Sequence, residues 1–220
     1  TAVGYLAGTA CTTGTANVFI GDLAGQTLTT ADRCVFIGNT SGSVGTVTGD
    51  KNTGVGDNSL RNVSSGTLNT AVGSESLMEN TTASSNTAFG FASLKANTTG
   101  ANNTAIGHES LLSNTTASFN VGVGHHALEN NTTGTNNTTV GTDSLRANTT
   151  ASNNTAIGRT ALTANTTGIQ NTAVGAYSLD ANIDSHNNTA IGYVALSSQT
   201  GGDGNNTALG AQTLQDTTTG

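Results

Sequence analysis

The segment "NTAIGHESLLSNTTASF", residues 103–119, decides the fold because the chain repeats it from end to end. The preceding segment, residues 86–102, reads "NTAFGFASLKANTTGAN", and the following one, residues 120–136, reads "NVGVGHHALENNTTGTN". We number the unit from its first Asn as position 0, which places a Gly at position 4. This Gly recurs every 17 residues from Gly4 to Gly210, except for two steps of 18 residues. Such a period predicts an elongated repeat architecture without a domain boundary.

Several positions hold the same kind of residue along the chain. Position 3 is Val, Ile, Leu or Phe, position 8 is Leu from Leu60 onward, and position 11 is Asn from Asn80 to Asn182. The short Thr-, Val- and Ile-rich segments favour strands over helices. We therefore predict an all-β fold, a parallel β-solenoid of about thirteen 17-residue coils. Short strands are expected at positions 1–3 and roughly 11–13, and coils stacked about 4.8 Å apart would form a rod roughly 60 Å long.

The same pattern predicts a core and its corners. Side chains alternate along a strand, and we expect the large residue at position 3 to face the interior together with the Leu at position 8. The predicted core residues are Ile106, Leu111, Val123, Leu128, Val140, Leu145, Ile157 and Leu162. Gly at position 4 permits a positive φ where the chain turns. The predicted corner glycines are Gly73, Gly90, Gly107, Gly124, Gly141, Gly158, Gly175 and Gly192. The Asn side chains at positions 0 and 11 are expected to hydrogen-bond along their own columns.

The composition limits the classes of function. Of the 220 residues, 34% are hydrophobic and 4% aromatic, and neither Trp nor Pro occurs, so one large spherical core is not expected. The strict apolar columns argue against a disordered chain. A net charge of −7 disfavours nucleic acid and anionic membranes as partners. No apolar run approaches the ~20 residues of a membrane span, so we expect no membrane insertion by this segment.

The consensus "NTAIGxxSLxxNTTGxxN" resembles the head repeats of trimeric autotransporter adhesins, whose motif centres on a Val-Ala-Ile-Gly string. It resembles still more the "NTALG…NTTG" arrays of bacterial and phage tail-fibre-type proteins, which often precede a self-cleaving chaperone domain. The resemblance covers residues 52–220 closely and residues 1–51 loosely. It implies a left-handed parallel β-roll in a homotrimeric fibre. This chain departs from the adhesin heads at position 1, where Thr mostly replaces their Val.

The first coils depart from the repeat. We therefore distinguish divergent N-terminal coils at residues 1–51 from the regular solenoid at residues 52–220. Position 2 is Phe19 and Phe36 in two early coils, and position 8 is Gly in the first three. These coils gain a bulky residue at position 2 and lose the Leu at position 8. We therefore predict that their side chains pack differently from those of later coils. Segment 39–51 holds one extra residue, which we place in a bulge or a corner loop.

The two cysteines lie in the divergent coils. Cys11 occupies position 11, and Cys34 occupies position 0 two coils later. Their expected axial offset of about 9.6 Å exceeds the usual Cα limit of about 7 Å for a disulfide. We therefore expect free thiols, with bridging within or between chains as the alternative.

One variable column carries a chemically distinct run. Position 6 is Glu109, His126 and Asp143 in consecutive coils, and His108 and His125 lie beside it at position 5. Imidazoles and carboxylates stacked about 4.8 Å apart are candidate ligands for a metal or a polar molecule. We favour a solvated corner with no metal and no cofactor, because position 5 elsewhere holds Asp, Ser, Phe, Arg or Tyr.

Two alternatives to a structural role arise from the predicted fold. In a glycan-cleaving solenoid, Glu109 and Asp143 would lie about 9.6 Å apart, at the far edge of the range for inverting enzymes. The sequence offers no aromatic sugar platform, so we expect no enzymatic activity. In an ice-binding solenoid, ranked Thr side chains would match ice. The adjacent Thr115 and Thr116 can place only one side chain outward, which disfavours this alternative.

We predict a structural fibre segment, the shaft or head of a surface adhesin or tail fibre, that supports attachment to a surface receptor. Position 2 is small in most coils, as at Ala105 and Ala156, although alternation places it away from the predicted core. A column kept small and apolar predicts close contact with another surface. The expected partner is the chain itself, in a parallel homotrimer with position 2 near the interface. A glycan or protein receptor and an extracellular location, on a cell surface or virion fibre, complete the hypothesis.

Overall fold

The computed structural model describes residues 1–216 and 218. They form a parallel β-solenoid of about twelve coils, and the described residues contain no helix. One sheet holds thirteen strands in sequence order, each paired in register with its equivalents in the neighbouring coils. The prediction of an all-β parallel solenoid is confirmed. Within the described part of the chain, no helix is long and apolar enough to cross a membrane.

Each coil contributes one strand of two or three residues at positions 1–3. The Gly at position 4 ends the strand with a positive φ, which is +133° at Gly107, and the predicted positive φ is present at every corner glycine from Gly73 to Gly192. The strands are β1 (Ala2–Val3), β2 (Val18–Ile20), β3 (Val35–Ile37), β4 (Thr53–Val55), β5 (Thr70–Val72), β6 (Thr87–Phe89), β7 (Thr104–Ile106), β8 (Val121–Val123), β9 (Thr138–Val140), β10 (Thr155–Ile157), β11 (Thr172–Val174), β12 (Thr189–Ile191) and β13 (Thr207–Leu209).

The second strand predicted at positions 11–13 is wrong. Residues 115 and 116 lie in a bend instead. The backbone N–H groups of Thr98 and Thr99 both donate to the carbonyl of Thr115, at 2.8 and 3.4 Å. A β-ladder needs donors and acceptors spaced regularly along both strands. Because two donors share one carbonyl, the coils remain hydrogen-bonded to each other here, but no strand forms.

The strand turns its middle residue inward, so the predicted orientation of position 3 is wrong. Ala105, at position 2, is fully buried, whereas Ile106, at position 3, is 40% exposed. Thr104, at position 1, shares the outer face with Ile106 and is partly exposed. The other position-3 residues predicted as core also lie partly or fully at the surface: Val123, Val140 and Ile157.

The interior beside the strand has room only for a small side chain. A Cβ added to Gly122, at position 2, would lie 2.7 Å from Ser110 Oγ and 3.2 Å from Leu111 Cδ1. Leu111 itself has a left-handed φ of +54° at position 8 and is fully buried. The predicted core leucines all share this burial: Leu111, Leu128, Leu145 and Leu162. The core is therefore a stack of Leu side chains lined by Ala and Ser.

Two ladders of buried Asn run along the rod, as expected for positions 0 and 11. Asn103 accepts the backbone N–H of Asn120 through Oδ1 at 2.9 Å, and its amide donates to the carbonyl of Ala117 at 2.9 Å. Asn114 donates to the same carbonyl at 3.0 Å and to Asn97 Oδ1 at 2.9 Å. Both columns thus converge on the position-14 carbonyl. The partners satisfy amides that would otherwise be costly to bury.

The early coils place a large side chain at position 2 and a Gly at position 8, and they repack as the sequence predicts. Phe19 and Phe36 are buried at position 2. A Cβ added to Gly8 would lie 2.5 Å from the Phe19 ring, and one added to Gly42 would lie 2.7 Å from the Phe36 ring. Each phenyl ring therefore fills the space that the position-8 Leu occupies in later coils.

The extra residue of segment 39–51 is accommodated in an open turn. Gly45 has a φ of +85°, and no heavy atom lies within 4 Å of where its Cβ would be. Strands β3 and β4 remain in register across this step, with Val35 opposite Thr53. An insertion at this turn therefore leaves the sheet undisturbed.

Both cysteines are free thiols, as expected. Cys11 is partly exposed, whereas Cys34 is fully buried and donates through Sγ to the carbonyl of Gly49 at 3.4 Å. Burial raises the pKa of the Cys34 thiol above its usual range. The two thiols therefore differ in access, and burial further disfavours the thiolate of Cys34.

We expect iodoacetamide to alkylate Cys11 at least about tenfold faster than Cys34 in the native protein, because the reactive species is an accessible thiolate. Mass spectrometry of peptides from a timed reaction gives both rates. In denaturant the rates should become similar, which serves as the control. Equal rates in the native protein would contradict the buried position of Cys34.

Candidate functional site

Ionisable side chains gather on the coils that carry β7, β8 and β9. Equivalent residues of successive coils stack, so position 5 brings His108 beside His125, and position 6 forms one column of Glu109, His126 and Asp143. Position 9 of two of these coils contributes the remaining pair. We call this group the polar cluster; its members are His108, Glu109, His125, His126, Glu129, Asp143 and Arg146.

His126 is the centre of the polar cluster. Its Nε2 lies 3.0 Å from Glu109 Oε2, and its Nδ1 lies 3.4 Å from Asp143 Oδ1. The same Nδ1 lies 4.0 Å from Glu129 Oε2. The His126 side chain is only 18% exposed. The structure thus brings together the three position-6 residues singled out from the sequence.

Glu129 and Arg146 complete the cluster, and neither was predicted from the sequence as a member of the site. Arg146 Nε lies 2.6 Å from Glu129 Oε2, and Arg146 Nη1 lies 3.4 Å from Asp143 Oδ1. With neutral histidines, three carboxylates and one guanidinium give a formal charge of −3 + 1 = −2. The available signal was the opposite charge of consecutive position-9 residues, three places after the position-6 column.

The imidazoles form a second, aromatic column at position 5. The rings of Phe91 and His108 stack with centroids 5.1 Å apart, and so do those of His108 and His125. The His126 ring lies beside them, with its centroid 3.6 Å from that of His125. Three imidazoles therefore share one small region of the surface.

The geometry disfavours a glycan-cleaving site. His126 fills the gap between Glu109 and Asp143 and contacts both carboxylates. An inverting pair needs that gap for the sugar and the attacking water. A cluster with a formal negative charge and several imidazoles is instead suited to binding a cation.

The second candidate site is an apolar column on the outer face of the sheet. Phe89, Ile106 and Ile191 are 55%, 40% and 39% exposed. Contiguous exposed apolar surface is unusual on a monomer and commonly marks an interaction site. We call this column the position-3 stripe; it comprises Val3, Ile20, Ile37, Val55, Val72, Phe89, Ile106, Val123, Val140, Ile157, Val174, Ile191 and Leu209.

Comparison of the chain with protein-family models, with curated proteins and with solved structures found no match in any of the three. The class is therefore defined by the fold, a parallel β-solenoid repeat protein. Any functional conclusion must come from the two surfaces described above, since a fold by itself does not specify a function.

Proposed function

We propose that the chain is a structural segment of an extracellular fibre, the shaft or head of a surface adhesin or tail fibre. Three parallel copies, each a left-handed β-roll, associate through the position-3 stripe and support attachment to a glycan or protein receptor. The observation that carries the proposal is the continuity of the stripe, which has an apolar residue in every strand from β1 to β13. A lengthwise apolar column suits a partner that runs alongside the rod.

The outer face of the sheet, which the stripe shares with the position-1 column, is large enough for a stable contact. Thirteen strands at about 4.8 Å spacing, with outward residues at positions 1 and 3, cover roughly 60 by 12 Å. This is about 700 Å² per chain, close to the ~800 Å² per partner that stable interfaces bury. Another copy of the chain presents the same length of apolar column at the same spacing.

Position 2 cannot form the contact that the sequence analysis assigned to it. Ala105 and Ala156 are fully buried inside their own coils, which explains why this column stays small. The adjacent position 3 takes the interfacial role in the proposal. Closed cyclic symmetry buries a lengthwise stripe without leaving an adhesive face, and the resemblance to fibre repeats supplies the number three.

Light scattering of the purified chain is expected to give three times the single-chain mass of 21.8 kDa. The double variant Val140→Lys/Ile157→Lys is expected to shift the mass to that of one chain. Its lysines would bring like charges together at the shared axis, which costs several kcal/mol. Circular dichroism should remain that of the wild type, because both side chains point away from the core.

The matched control is Thr163→Lys/Ser197→Lys. Both residues are partly exposed at position 9, where Arg61 and Lys95 occur in other coils. This control should retain the mass of the wild type. A wild-type mass of 21.8 kDa, or a position-3 variant that keeps the oligomeric mass, would overturn the proposal.

One observation also favours ice binding as a second candidate function. The outer face of the sheet presents a rank of Thr at position 1 beside the aliphatic rank of position 3, as at Thr104 and Ile106. This rank is distinct from that of the adjacent Thr115 and Thr116. A trimer would cover this face, so the two functions exclude each other. A monomer that shows thermal hysteresis would favour ice binding, and a trimer without hysteresis would favour the fibre.

A further inference from the structure

We propose that the polar cluster binds one divalent transition-metal ion of the zinc class, through the imidazoles of His108, His125 and His126 and the carboxylate of Glu109. This site is additional to the fibre role and does not depend on the oligomeric state. One potential ligand atom from each of the three histidines lies within 4.8 Å of the others. Glu109, His126 and Glu129 form a second group with the same spacing, and His126 belongs to both.

The distances suit coordination after small side-chain movements. Tetrahedral zinc with bonds of about 2.0–2.2 Å holds its ligand atoms roughly 3.3 Å apart. Glu109 Oε2 and His126 Nε2 are already 3.0 Å apart. His108 and His125 are exposed and can rotate toward them. The backbone supplies the register, since positions 5 and 6 of two consecutive coils project into the same region.

The environment of His126 resembles that of a metal-ligating histidine. Such a residue usually donates its second ring N–H to a carboxylate, which fixes the tautomer and the ring orientation. Here Nε2 faces Glu109 Oε2 at 3.0 Å, while Nδ1 faces Asp143 Oδ1 at 3.4 Å. Asp143 Oδ1 is buried and accepts no hydrogen bond in the described structure, although Arg146 Nη1 also lies 3.4 Å from it. A metal at Nε2 would place the proton on Nδ1 and give this oxygen a donor.

The donor set selects the class of ion. Imidazole suits zinc, copper, nickel and iron, whereas calcium and magnesium prefer oxygen ligands throughout. The formal charge of −2 attracts a dication. Arg146 neutralises Glu129 through a 2.6 Å contact, which leaves Glu109 as the carboxylate for the metal.

Zinc chloride titrated into the tag-free chain at pH 7.5, followed by calorimetry and by metal analysis after dialysis, tests the site. One zinc per chain is expected. The double variant His108→Gln/His125→Gln should lower the affinity at least about tenfold, and its fold should persist because both side chains are exposed. Asp143→Asn should weaken binding about 10- to 100-fold while leaving the stoichiometry at one, as expected of a positioning residue.

The fourth histidine provides the matched control. His186 lies far along the rod, where its Nδ1 accepts the backbone N–H of Ile169 at 2.9 Å. His186→Gln should bind zinc like the wild type. The proposal is overturned if the wild type retains no zinc, or if the His108→Gln/His125→Gln variant binds as tightly as the wild type. One zinc per three chains would equally overturn it, because the ion would then lie between chains.

Discussion

Leu145→Asp is expected to lower the free energy of unfolding by about 3–5 kcal/mol, because it buries a carboxylate in an apolar stack. Leu145 is fully buried and belongs to the continuous position-8 column. Among the described residues, this column contains no Lys or Arg side chain that could pair with the new carboxylate. Thermal unfolding followed by circular dichroism measures the effect.

The appropriate control introduces the same charge at the surface of the same coil. Arg146→Asp is a poor choice because Arg146 pairs with Glu129 and Asp143. Thr142→Asp is better, since Thr142 is exposed at position 5, where Asp57 occurs naturally. It should change the stability by less than about 0.5 kcal/mol. Equal melting temperatures for Leu145→Asp and Thr142→Asp would show that position 8 is not core.

Gly124→Val is expected to destabilise the coil by about 3 kcal/mol or more, for two separate reasons. Gly124 has a φ of +139°, which a β-branched residue adopts only with strain. A Cβ at this position would also lie 2.5 Å from the carbonyl oxygen of Gly141 in the next coil. Relief of that contact requires the two coils to move apart, which breaks the hydrogen bonds between them. Chemical denaturation measures the loss.

Gly45→Val separates the two causes. Gly45 also has a positive φ, of +85°, but a Cβ there meets nothing within 4 Å. Its cost should be limited to backbone strain, about 1–2 kcal/mol. If both variants were destabilised equally, close packing of the corner glycines would play no part in the rod's stability.

The class of fold was predictable because the 17-residue register places like residues in like surroundings. The orientation of the strand was not predicted, since the size of Ile106 suggested a core residue. A signal did exist: Thr104 shares the face of Ile106, and a polar column on that face indicates the outside. Leu111 takes most of the narrow interior, so only a small side chain such as that of Ala105 fits opposite it.

The predicted second strand failed for a different reason. The Thr-rich segment around Thr115 has high β-propensity, yet the buried amides of Asn103 and Asn114 hold the neighbouring backbone through their own hydrogen bonds. These side-chain contacts override local propensity. These hydrogen bonds could not be predicted before the path of the turn was known.

The candidate metal site was predictable only in part. Register alone placed Glu109, His126 and Asp143 in one column. The approach of Glu129 and Arg146 depends on how the turn folds between positions 6 and 9. A pattern with a fixed period predicts neighbours along the rod well and neighbours around the coil poorly.

Because every coil of the solenoid adds the same length, the number of repeats determines the length of the rod. Each coil touches only the coils before and after it, so a whole unit can be gained or lost while the repeated core positions of the other coils keep the same kind of contacts. Every unit changes the length by about 4.8 Å. The outward positions 5, 6 and 9 determine what the rod presents, while the repeat count determines how far it reaches. Reach and surface chemistry can therefore evolve independently.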